Sequence, residues 1–111
     1  MTESEASAQI GRMTDSTVAP VLDSTDLADC VDAAARIDTN DVYRDDAAWI
    51  PTWDLNAGAA VGWSYKASRS AGNFNFSEDS QRFDRAQVYA HCAAQAKMYA
   101  DKAMGSLPHT T

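Results

Sequence analysis

Side-chain bulk is spread so unevenly along this chain that the distribution itself restricts the fold. All three Trp and all three Phe fall between Trp49 and Phe83, and within that region Ala57-Gly58-Ala59-Ala60-Val61-Gly62 carries almost no bulk before Trp63 and Tyr65 arrive. A chain of 111 residues has one modest core to fill and no room for a large buried cleft. So dense an aromatic cluster is either that core or a surface for a partner. Gly58 and Gly62 lie four apart on one helical face, and each weakens a helix by about 1 kcal/mol relative to Ala. Either a second helix or strand comes so close that a Cβ has no space, or the glycines are merely tolerated.

The charge is just as uneven. The chain carries a net charge of -7; its first 48 residues hold 11 acids against 3 bases, and the remainder is nearly balanced. Such an acidic half disfavours tight binding to nucleic-acid phosphates, which calls for clustered Lys and Arg, but it allows DNA to slide past. No run approaches the roughly 20 apolar residues of a membrane helix, and MTESEASAQ is polar and acidic where a leader would be basic and then apolar. The expectation is a protein made in the cytoplasm, with Cys30 and Cys92 as reduced, buried thiols.

Along the chain, residues 1–22 have few large apolar side chains, and the composition predicts a flexible segment, with a short helix near Glu3 to Met13 that holds only if a partner covers it. Asp23 or Ser24 then caps an amphipathic helix that carries Leu27, Cys30, Val31, Ala34 and Ile37 on one face, with Asp29 and Asp32 turned away. Asp38 to Ala48 reads as a solvated acidic connection. It fails as a calcium loop because Val42, Tyr43 and Trp49 stand where a ligand, a Gly and a bidentate Glu belong.

Pro51 keeps Ile50 extended, and Thr52 or Asp54 caps a helix running to Ser70 or Ala71 before Gly72. Phe74 and Phe76 alternate with Asn73 and Asn75, a turn-like Ser-Glu-Asp-Ser follows, and Arg82-Phe83 returns: a short β-hairpin-like element. Asp84 to Met104 is the longest helical pattern, with Val88, Tyr89, Cys92, Ala93, Ala96, Tyr99, Ala103 and Met104 as its apolar stripe. The fold class expected is therefore mainly α: a small bundle of three to four helices with a hairpin-like element before the last. Residues 23–104 form the domain, and 105–111 form a loose tail.

Candidate chemistry is sparse. His91 and Cys92 are helical neighbours and point about 100° apart, so they make no thiol-imidazole pair. The other histidine, His109, lies in the tail, so no familiar zinc spacing exists. Arg69, Arg82 and Arg85 flank the expected hairpin, where they either bind a partner's carboxylate or are simply solvated. No catalytic constellation, metal or cofactor is indicated.

Three blocks of residues carry a resemblance: Trp49-Ile50-Pro51-Thr52-Trp53-Asp54-Leu55-Asn56, then Ala59-Ala60-x-Gly62-Trp63-x-x-Lys66-Ala67, then Phe74-x-Phe76-Ser77-x-Asp79-x-Gln81-x-Phe83-x-Arg85-x-Gln87. In order and spacing the chain resembles the head-to-tail connector (adaptor) proteins of long-tailed bacteriophages of actinobacterial hosts. It departs from their pattern with Trp53 for a Tyr and Ser80 for a Gly. The resemblance implies a non-enzymatic virion protein of the neck, made in the host cytoplasm. Its copies form a ring, commonly of twelve, beneath the portal protein; the ring extends the DNA channel and meets head-closure or tail-terminator proteins. Genomic DNA would pass through it without sequence-specific binding.

On this reading Gly58, Gly62, Trp63, Phe76, Arg82, Phe83, Arg85, Met104 and Leu107 are the subunit or portal contacts, the tail docks on the portal, and Asp29 and Asp32 face the channel. A tail-completion protein of the same neck is the alternative, and a small DNA-binding or regulatory helical protein is the alternative outside it.

Overall fold

The computed structural model describes residues 1–71 and 79–103, with side chains described for 1–70 and 86–103. It is mainly helical: α1 (Glu3–Met13), α2 (Ser24–Ala34), α3 (Leu55–Ala71) and α4 (Asp79–Lys102). Each of the first two helices opens on a reciprocal cap. Thr2 accepts from the Glu5 N–H while Glu5 accepts from the Thr2 N–H, and Asp23 and Asp26 do the same for α2. These bonds satisfy amide groups that a helix start leaves without partners.

The N-terminal segment differs from the composition-based expectation. α1 has the expected bounds, but the chain itself supplies its cover: Ala6 and Ile10 are completely buried, and Ile10 packs in one cluster with Cys30, Val31 and Ala34 of α2. One small and one large apolar side chain suffice because they enter a seam that α2 and α3 have already lined with small residues. Composition counts bulk, whereas burial here depends on fit.

α2 ends earlier than its apolar spacing suggests. Ala35 turns extended and pairs antiparallel with Trp53, through Arg36 N–H to the Thr52 carbonyl at 2.9 Å and Asp54 N–H to the Ala34 carbonyl at 2.7 Å. That clasp fixes where α3 begins, and Asp54 sits just ahead of it with its carboxylate accepting from the Ala57 N–H at 3.3 Å. Between the clasped ends, residues 36–53 form a braced loop. The buried Asp38 carboxylate accepts from the N–H groups of Asn40 (2.8 Å), Val42 (3.0 Å) and Ile50 (2.8 Å), and these bonds hold its pKa below the ordinary value. The acid expected to be solvated is the loop's anchor.

The expected hairpin is not formed as written. Phe74 and Phe76 lie outside the described residues, but Arg82 and Phe83, expected as its return strand, are in α4. Ser-Glu-Asp-Ser caps a helix as readily as it makes a turn, and from Asp79 to Met104 neither Gly nor Pro interrupts the run. α4 therefore starts at Asp79 and not at Asp84. It packs on α3 and, among the described residues, on no other helix. No helix in the described part is long and apolar enough to cross a membrane.

Candidate functional site

The glycine pair and Trp63 face into the subunit. A Cβ on Gly58 would stand 2.7 Å from Ile10 Cδ1 and 2.8 Å from the Cys30 carbonyl oxygen; one on Gly62 would stand 2.7 Å from Thr14 Cγ2. The close approach inferred from their spacing is present, and the partners are α1 and α2 of the same chain. Trp63 is 3 % exposed, and its indole N–H donates to the Met13 carbonyl at 3.1 Å. Within the single chain these three residues are therefore part of its internal packing.

Lys66 completes that seam. Its Nζ donates to the carbonyls of Thr14 (2.8 Å), Asp15 (2.7 Å) and Val18 (3.2 Å) and lies 4.7 Å from the centre of the Trp63 ring. Three donated bonds require the ammonium form, even though burial pushes the pKa of this 2 % exposed residue down. The carbonyls converge because Asp15 turns left-handed (φ 49°) directly after α1, a conformation Asp tolerates better than most residues. One lysine of α3 thus caps the C-terminal end of α1. Sequence order hides such a contact, since Lys66 is about fifty positions from its acceptors.

Arg69 likewise serves the chain itself. Its two terminal nitrogens meet both Asp26 oxygens at 2.7 Å each, and this pairing is the main cause that brings the Asp26 pKa down to about 2. Of the arginine trio considered as a carboxylate receptor, Arg69 has found its carboxylate within the fold. Arg82 and Arg85 are on α4 with side chains outside the described set, as is Phe83, while Phe76, Met104 and Leu107 lie outside the described residues altogether.

Asp29 and Asp32 are exposed on the outer side of α2, as the helical spacing requires. Both have partners: the Tyr65 hydroxyl donates to Asp29 at 3.1 Å, and Arg44 pairs with Asp32 and also with Glu3. Arg44 in turn lies over the Trp53 ring, whose edge meets Trp49. Among the described residues the exposed large apolar side chains fall into two groups. Met1, Tyr43 and Ile50 accompany the braced loop, and Val18, Val21, Val88 and Tyr89 lie about the far end of α3.

Cys30 and Cys92 are both buried, and burial raises both thiols, Cys30 to about 11. They behave as small apolar side chains. His91 is exposed beside Cys92 and meets the Trp63 ring edge-on at 5.4 Å. Among the described residues no three His, Cys, Asp or Glu side chains come together as a metal site. What the arrangement offers is surface: the braced loop, the acidic outer side of α2, and a long α4 that, among the described residues, touches a single helical neighbour. Comparison with family models, with curated proteins and with solved structures finds no match.

Proposed function

We propose that this chain is a head-to-tail connector subunit of a phage neck, assembling with copies of itself into a ring beneath the portal protein. The three sequence blocks are the source of this reading. The structural observation that supports it best is the one-sided packing of α4. A 24-residue helix is about 36 Å long, and resting it on one neighbour leaves a lengthwise face for other subunits.

The acidic outer side of α2, with Asp29 and Asp32, is the part we assign to the DNA channel, where like charge keeps phosphates from adhering. Partners are then the portal protein on one side of the ring and a head-closure or tail-terminator protein on the other. The chemistry is assembly, without a catalytic step.

The deciding measurement is the native mass of the purified chain, alone and mixed with portal rings. A subunit that gives a defined ring on the portal is the expected result. A stable free oligomer that ignores the portal would favour a tail-completion protein, and a lone monomer under both conditions would remove the assembly reading.

A further inference from the structure

The two exposed apolar groups differ in shape and in charge. One lies at the start of α3, where the Trp53 indole donates to the Met1 carbonyl at 2.8 Å and meets Trp49 edge-on. On the loop braced by that corner Tyr43 and Ile50 stand exposed, and the exposed acids Asp41, Asp45 and Asp46 belong to the same loop.

The other group lies about 20 Å further along α3, where Lys66 holds the Val18 carbonyl and Arg69 the Val21 carbonyl. There the turn after α1 and the facing side of α4 leave a hollow of about 390 Å³, walled by Val18, Ala19, Trp63, Lys66, Val88 and His91. Val18 is 59 % exposed and Val88 39 %, so the rim is apolar as well. Lys66 spends its three bonds on uncharged carbonyls, and the one carboxylate in the wall is that of Asp15. The wall thus carries one ammonium and one carboxylate, whereas the loop carries an excess of acid.

This difference sorts the possible pairings of two copies. Loop against loop would set Asp41, Asp45 and Asp46 against their own equals, and like charges across a contact repel. Hollow against hollow would leave both unfilled. Loop against hollow puts large apolar side chains into an apolar cavity, the arrangement of an interface anchor, and brings the acids to a wall that has an ammonium in it.

We propose that Tyr43 and Ile50 of one copy seat in the hollow between Val18 and Val88 of the next. The inference rests on the self-assembly reading above and names the two surfaces by which copies join. Because the surfaces are unlike and lie toward opposite ends of α3, each contact is head-to-tail, and a series of them closes into a ring when the rotation between subunits permits.

The test uses the full-length chain with Tyr43 replaced by the photo-crosslinker p-benzoylphenylalanine. Isotopically heavy and light chains are mixed, assembled alone or on portal rings, illuminated, and mapped by mass spectrometry. The expected result is heavy-to-light cross-links from position 43 to residues 15–19 or 87–91, with assembly and cross-links both lost in Val88→Asp. That substitution falls on an exposed side chain, and circular dichroism checks that the helices persist; Val18→Asp, on the opposite wall, serves if they do not. Assembled chains whose cross-links from position 43 fall elsewhere, or that ignore Val88→Asp, overturn this pairing and leave the ring reading standing. A chain that stays monomeric with and without portal rings overturns both.

Discussion

The unit of α1, α2 and α3 and the single helix α4 are built on opposite principles. In the first, three helices come so close that two glycines are needed, and buried polar groups find partners across the seams. In the second, a longer helix lies along one neighbour on a mainly apolar contact that centres on Trp63, Ala67 and Cys92. Short-range fit combined with directed bonds gives one arrangement and resists change. A mainly apolar contact of Cys92, Ala93, Ala96 and Tyr99 with Trp63 and Ala67 fixes direction less strictly.

The widest separation between the two regions should follow from Lys66→Ala. It leaves the buried Thr14 carbonyl and the part-buried Asp15 and Val18 carbonyls without their donor and opens a gap beside Trp63, so about 3 kcal/mol of global stability should be lost, read from urea unfolding. A loss below 1 kcal/mol would mean that the seam repairs itself and the contrast is overstated. Ala96→Asp should cost about 2 kcal/mol and should act on α4 docking alone. Hydrogen exchange should then show α4 amides opening freely while those of α1 and α2 keep their protection. Loss of protection everywhere would make the molecule one cooperative unit.

Gly58→Ala gains about 1 kcal/mol of helix propensity but forces a methyl group against the Cys30 carbonyl, so a net loss of about 1 to 2 kcal/mol is expected. A thermal midpoint at or above that of the unaltered chain would show the seam to be looser than its distances imply. The smallest effect is electrostatic. The folded Asp26 carboxyl titrates at about 2, below its ordinary 3.8. Its contribution is therefore complete above about pH 4 and disappears as the pH falls toward 2. Asp26→Asn should flatten the acid side of the stability profile between those values, and an unchanged slope would assign acid sensitivity to other carboxylates.

How much of this could be read in the sequence depended on distance along the chain. The bounds of α1, the Asp23 cap, and the turned-out Asp29 and Asp32 are local matters, set by residues three or four apart. That something approaches Gly58 and Gly62 closely was also legible, because their helical cost needs a reason. What approaches was not, since Ile10 and Cys30 are tens of residues away. The same blindness concealed Lys66 on the carbonyls after α1 and the pairing of Arg69 with Asp26. α4 began five residues early because a capping sequence and a turn sequence share Ser and Asp, and only the run that follows decides between them. Composition misjudged the N-terminal segment, where Ala6 and Ile10 alone fill the space available.

The carboxylate of Asp38 has a consequence for engineering. It holds the loop at Asn40, Val42 and Ile50, so the chain between the last two anchors spans a gap whose ends are already fixed. Lengthening a closed segment adds only about 0.6 kcal/mol for each doubling. Residues 45–48, exposed and between those anchors, are therefore where a peptide tag or a small foreign domain can be spliced in with least disturbance to the remainder.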